Sequence, residues 1–196
     1  YNETPKNVLF IELAEMGSTV LAYPAMKKLK SLYPNSNLYF LLFHHIRESM
    51  DIIGIVPKEN VFTIESKNIF TLARDTLKFM LLCRKRKIDT VINLEMFARY
   101  STILSYLSGA RKRVGFHRYH QEGLYIGSFL THKVMYNPHI HTAQSFIALA
   151  YALKAPKDEI PLVKVPISNE NLEVPRIVSD KKSKEKIWNI LKSVNP

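Results

Sequence analysis

Two short stretches place ionisable side chains beside predicted chain reversals. The first is Glu12-Leu13-Ala14-Glu15-Met16-Gly17-Ser18-Thr19. It follows the apolar run Val8-Leu9-Phe10-Ile11 and precedes Leu21, Ala25, Met26, Leu29 and Leu32, which recur at helical spacing. A loop entering a helix presents unpaired N–H groups and a partial positive charge, so it favours anions. Glu12 and Glu15 are the acids at this turn, and each reads either as a base or, more commonly, as a solvated loop charge. Gly17-Ser18-Thr19 reads as a tight turn in which Ser18 or Thr19 caps the helix. The second stretch is Asn93-Leu94-Glu95-Met96-Phe97-Ala98-Arg99. Glu95 and Arg99 at i, i+4 suit an ion pair across one helical turn, or contact with a sugar hydroxyl and an acidic group of a ligand.

Several chemistries are excluded or unsupported. The first loop holds only one glycine, so it is neither the three-glycine dinucleotide fingerprint nor a Walker-type phosphate loop with its lysine. His44, His45 and His117 fall just after predicted strands, and none belongs to the His-x-x-x-His pattern with a glutamate that binds zinc. No metal site is expected. The basic runs Arg84-Lys85-Arg86-Lys87 and Arg111-Lys112-Arg113 read as solvated element ends. Aromatic residues do not alternate with them, which argues against a nucleic-acid stacking platform.

These loops need a scaffold. The short apolar runs at residues 8–11, 38–43, 61–64, 90–94, 113–116 and 132–136 read as buried strands. Helices are predicted between them near 21–32, 47–53, 69–86 and 101–107, with a last one from 140 to about 155; residues 118–130 read as loop. Alternation of this kind implies right-handed crossovers and a parallel sheet covered on both faces. The expected fold class is α/β, a Rossmann-like doubly wound sheet. Its ligands would sit beyond the carboxyl ends of the strands, at the switch in strand order.

Composition agrees with a packed domain that has an anionic partner, whether a phosphorylated substrate, an anionic membrane surface or nucleic acid. The chain has 196 residues, is 46% hydrophobic and carries a net charge of +11. Its single cysteine, Cys83, lies in an apolar run and reads as core. From Pro156 to Pro175 the texture turns proline-rich and loses periodicity, which suggests an extended connector. Lys181 to Lys192 reads as a helix with Ile187, Trp188 and Leu191 on one face. The expected division is a Rossmann-like domain over 1–155, a connector over 156–180 and the start of a further domain over 181–196.

Three stretches together resemble the ADP-heptose:lipopolysaccharide heptosyltransferase family, glycosyltransferase family 9. One runs from Val8 through Gly17 and Tyr23-Pro24-Ala25 to Tyr33-Pro34. Another runs from Asp89-Thr90-Val91-Ile92-Asn93-Leu94-Glu95 through Arg99 and Leu107-Ser108-Gly109-Ala110 to Arg113-Val114-Gly115-Phe116. The third is the helix opened by His141. Each motif alone is weak, but their order and spacing are specific over residues 7–155.

The resemblance implies the amino-terminal, acceptor-binding half of a GT-B glycosyltransferase, with an inverting, metal-independent sugar transfer. It implies a nucleotide-sugar donor, ADP-heptose, bound mainly by a second domain, and no further cofactor. The implied acceptor is anionic lipopolysaccharide core or a related bacterial surface glycan. The implied location is cytoplasmic, with peripheral association at the inner face of the inner membrane. The expected site has Glu15 and Ser18 as the catalytic positions, with Gly17, Thr19, Glu95, Arg99 and His117 binding acceptor. One departure matters: Ser18 stands where the family places its catalytic aspartate, and a serine hydroxyl is no base without an activating partner. Glu15, Glu12 or Glu95 would have to substitute, with Glu15 the leading choice. The alternative is a non-catalytic relative that binds glycans or serves as an assembly subunit.

Overall fold

The structure, a computed structural model, describes residues 4–96, 98–118, 127–156, 159, 163, 165–167, 172–175 and 181–194. Six strands form one parallel sheet: β1 (Asn7–Ile11), β2 (Asn37–Phe43), β3 (Val61–Ile64), β4 (Thr90–Asn93), β5 (Lys112–Arg118) and β6 (His132–Met135). Their order is β3-β2-β1-β4-β5-β6, so the chain winds outward one way from β1 and then the other way from β4. The fold is the expected doubly wound α/β sheet, and its switch point lies between β1 and β4.

The strands from β1 to β5 are joined by crossover helices and so run parallel, and β1, β2 and β4 are buried on both faces. In β1, Val8 and Phe10 join one core cluster while Leu9 and Ile11 join the other. The first cluster lies under α1 (Met16–Leu21), α2 (Tyr23–Leu32), α3 (Arg47–Ile53) and α6 (Thr142–Ala152). The second lies under α4 (Ile69–Lys85) and α5 (Arg99–Leu107). Phe10 and Phe40 stack across β1 and β2 with ring centroids 6.4 Å apart. Each such fully buried large side chain contributes about 1.5–3 kcal/mol through its removal from water. Cys83 is buried in the second cluster, and burial pushes its thiol up to about 12, so it is packing rather than a nucleophile.

The local sequence explains where several elements begin and end. The stretch read as one helix is two: α1 stops at Ala22, and α2 restarts with Pro24 in its first turn, where the missing N–H costs nothing. α4 opens on a reciprocal cap, with the Asn68 side chain accepting from Thr71 N and Thr71 Oγ1 accepting from Asn68 N. His141 and Gln144 form an equivalent cap at α6, which gives the His-led motif a structural role. α3 closes on Gly54 at φ 68°, a left-handed position that glycine takes without strain.

Beyond α6, the described residues of the connector contain no helix or strand. Val163, Ile167 and Leu172 pack against the first cluster, and Glu173 pairs with Lys27 of α2. The predicted last helix is α7 (Lys181–Val194), with Ile187, Trp188, Ile190 and Leu191 all exposed. Of the stretch read as a loop over 118–130, residues 119–126 lie outside the described residues.

Candidate active site

The two predicted loops meet at the switch point because β1 and β4 are direct neighbours. Ile11 pairs with Asn93, and Leu94 N donates to Ile11 O. The ladder to β2 also runs past the end of β1: Glu12 N donates to Leu41 O and Phe43 N donates to Leu13 O. Leu13 N turns the other way and donates to the Glu95 carboxylate, Oε1, at 2.8 Å. A side chain of the second loop is thus bonded to the backbone of the first.

Asn93 fixes the second loop from behind. It is buried, and its amide Nδ2 donates to Ser101 Oγ at 3.1 Å and Thr102 Oγ1 at 3.4 Å. Its Oδ1 accepts from Glu95 N at 3.3 Å. One side chain therefore joins the end of β4 to the first turns of α5 and sets the direction in which Glu95 leaves the sheet.

Three carboxylates gather here. Glu12 is only 4% exposed. Its Oε1 lies 3.4 Å from Glu15 N, a long hydrogen bond. Burial, with the nearby Glu95 and Glu15 charges adding to it, raises its pKa to about 8. Glu15 is exposed at the N-cap of α1, and its Oε2 accepts from Ser18 Oγ at 2.9 Å. Ser18 is buried, so the hydroxyl at the position expected to carry an acid instead anchors one.

The structure corrects several expectations. Glu12 is not a solvated loop charge. Neither Ser18 nor Thr19 caps a helix: both lie buried inside α1, where Thr19 Oγ1 donates to Glu15 O. α1 spans six residues, and its N-cap Glu15 makes no side-chain bond to the helix N–H groups. Glu95 and Arg99 do not form an ion pair. Residues 95 and 96 are not helical, Arg99 is the first residue of α5, and Glu95 is turned toward Leu13.

Gly17, in α1, and Arg99, the first residue of α5, are exposed. No polar contact gathers them with the carboxylates. His117 lies at a register irregularity near the end of β5, between the Phe116–Val134 and Arg118–Met135 rungs. Asn93 pairs with Gly115, so Glu95 and His117 each lie two residues beyond that rung. Of the seven residues expected from sequence, hydrogen bonds join Ser18 and Thr19 to Glu15, and Glu95 to their loop.

A separate cavity of about 490 Å³ opens beyond β5 and β6, lined by Phe116, Val134, Tyr136, His139, Gln144 and Ser145 among others. None of the expected site residues lines it. Among the described residues no group of three or more His, Cys, Asp or Glu could hold a metal ion. Nor is any described helix long and apolar enough to cross a membrane.

The sequence matches no protein-family profile and no curated protein. Solved structures do match. The Escherichia coli ADP-heptose LPS heptosyltransferase II aligns with a TM-score of 0.68 at 16% identity, over 94% of this chain and 50% of its own. A family 9 glycosyl transferase from Veillonella parvula gives 0.66 at 13% identity, over 97% of this chain and 50% of that one. E. coli heptosyltransferase WaaC, solved with ADP, gives 0.59 at 16% identity over 74% of this chain and 45% of that one. The chain spans about half the length of these structures. At such identities the likeness establishes a fold: this chain has the Rossmann-like α/β fold found in those heptosyltransferases.

Proposed function

We propose that this chain is the acceptor-binding, amino-terminal half of an inverting, heptosyltransferase-like glycosyltransferase. The reaction passes a sugar from a nucleotide-sugar to lipopolysaccharide core or a related bacterial surface glycan. The observation that carries this reading is the Leu13 N–Glu95 Oε1 bond, which brings three carboxylates together at the switch point of the sheet. The fold likeness supports it, as does the solution of WaaC with ADP and with ADP-2-deoxy-2-fluoro heptose.

The proposed chemistry needs one proton acceptor and a neutral path for the sugar hydroxyl. Glu15 is the proposed base. Ser18 holds one of its oxygens, so the carboxylate is oriented before the acceptor arrives. The acceptor hydroxyl gives its proton to Glu15 as its oxygen attacks the anomeric carbon, and the nucleoside diphosphate leaves. Glu12 keeps its proton near neutrality, which removes one negative charge from a site meant for an anionic acceptor. Arg99, exposed at the first turn of α5, is the proposed contact for an acidic group of that acceptor, with Gly17, Thr19, Glu95 and His117 around it. The donor, ADP-heptose, is held mainly by a second domain, and no metal takes part. The proposed location is cytoplasmic.

The substitution at Ser18 favours a second reading, a non-catalytic relative that binds glycan without transferring sugar. Turnover separates the two. ADP release and mass gain of the acceptor are measured for this chain alone and for the chain joined to its donor half. No turnover is expected from the chain alone, since nothing would hold the leaving diphosphate, and turnover is expected from the joined protein. Transfer by the chain alone would refute the division of labour, and inactivity of the joined protein would favour the non-catalytic reading.

A further inference from the structure

The outward side of α4 is apolar where a surface helix should be polar. Asp75, Phe79 and Cys83 form its buried side. On the opposite side Phe70 is 84% exposed, and Leu77 and Leu81 are each 58% exposed. At 100° per residue these three side chains fall within about 40° of one another. They form a stripe about 16 Å long at 1.5 Å per residue. Next to α4 on the same face of the sheet, α5 exposes Ile103 and Tyr106. A hydrogen bond of 2.9 Å between Thr76 Oγ1 and Tyr100 OH ties the two helices together.

The charge along α4 is mostly positive, with Glu65 beside Lys67 at its start. Residues 67–87 and 99–113 together hold eleven of the chain's 28 lysines and arginines but only one of its 17 acids. That acid, Asp75, is buried and paired with Arg74 and Lys78. Arg74, Lys78 and Lys85 flank the apolar stripe on one side and Arg84 on the other, all exposed. Arg74, Lys78, Arg84 and Lys85 thus flank one exposed apolar strip, with Glu65 beside Lys67 at its amino-terminal end.

We propose that the outer face of α4 and α5 docks on the surface of an anionic lipid bilayer. The apolar stripe would lie among the upper acyl chains, and the flanking cations would reach the headgroup phosphates on their flexible stems. A partner protein would match the apolar stripe, but the charge pattern selects a surface with dense negative charge and little structure of its own. The orientation is useful: α4 and α5 both begin at the carboxyl ends of β3 and β4, so Phe70 and Arg99 stand at the end of the sheet that carries the loop of residues 12–19. Docking there would hold the candidate site close to glycans carried on the same membrane. The proposal does not depend on which sugar is transferred, or on whether any is.

The test is co-sedimentation of the protein with vesicles of phosphatidylcholine, with and without about one-third phosphatidylglycerol. Binding to the anionic vesicles is expected, and it should weaken as salt rises. Against them, the triple variant Phe70→Gln, Leu77→Gln, Leu81→Gln should lose at least about tenfold in partition coefficient. A second variant, Arg84→Gln, Lys85→Gln, Lys87→Gln, should lose a similar factor on anionic vesicles and bind neutral ones as the parent does. All six side chains point outward, so melting temperatures should stay close to the parent's, and the melts confirm that both variants fold. Failure to bind anionic vesicles would overturn the proposal, as would equal binding by the triple variant. Self-association of the parent that the triple variant abolishes, with no vesicle binding, would assign the stripe to a second copy of the chain instead.

Discussion

Replacing Glu15 with glutamine, in the protein joined to its donor half, should lower kcat by about a hundredfold to ten-thousandfold, the range for removal of a general base. KM for the acceptor should change little, because glutamine keeps the shape and can still accept the Ser18 Oγ hydrogen bond. Glu95→Gln is the control. It preserves an oxygen for Leu13 N, so a positioning role predicts a smaller loss than at Glu15. Ser18→Ala frees the Glu15 carboxylate to rotate and should cost less than Glu15→Gln itself. The contrary pattern is equally informative. If Glu15→Gln keeps near-parent turnover while Ser18→Asp raises it, this lineage has lost its base and the non-catalytic reading gains.

A second large effect belongs to stability. Glu12 is held near pKa 8 in the folded chain against 4.5 for an ordinary glutamate. The sign follows from proton counts. Between those two values the folded state binds a proton that the unfolded state has released, so the contribution to stability falls as pH rises. Below about 4.5 both states are protonated and there is no penalty. Above about 8 the penalty is complete, with an upper limit of roughly 5 kcal/mol at 1.36 kcal/mol per pH unit. Glu12→Gln should therefore stabilise the protein at pH 8 by a few kcal/mol, up to that limit, and show little difference at pH 4. Urea unfolding of parent and variant at both pH values measures the gap. A gap that is constant with pH, or that widens toward acid, would contradict the burial of an acid at this position.

The fold was legible in the sequence because parallel strands buried on both faces leave unbroken apolar runs. Val8–Ile11 and Leu38–Phe43 are such runs, and the amphipathic spacing of 69–86 marked α4 to within a residue. The site was harder to read because its geometry depends on partners distant in sequence. Glu12 looked like a loop charge, yet it directly follows a strand whose ladder to β2 continues through Leu41 and Phe43. A residue next to a doubly covered strand stays inside until the ladder ends, and that signal was available. Asn93 gave no such signal: its three bonds go to Ser101, Thr102 and the backbone of Glu95, and only folding of α5 onto β4 brings them together. The Glu95–Arg99 spacing misled because a helical i, i+4 pair needs helix throughout, and α5 begins only at Arg99. The start of α1 misled for a related reason. Ser18 and Thr19 are typical capping residues, but the chain enters the helix earlier, at Met16, and the hydroxyls turn inward.

The central claim is that the loop of residues 12–19, with Glu95 and Arg99 beside it, binds the acceptor, and amide NMR on this chain tests it most directly. A deacylated lipopolysaccharide core oligosaccharide lacking heptose, titrated into the labelled protein, should shift the amides of Leu13, Glu15, Gly17, Ser18, Thr19 and Glu95. ADP over the same range should leave them nearly unmoved. If ADP shifts these amides and the oligosaccharide does not, the loop is no acceptor site and the account fails.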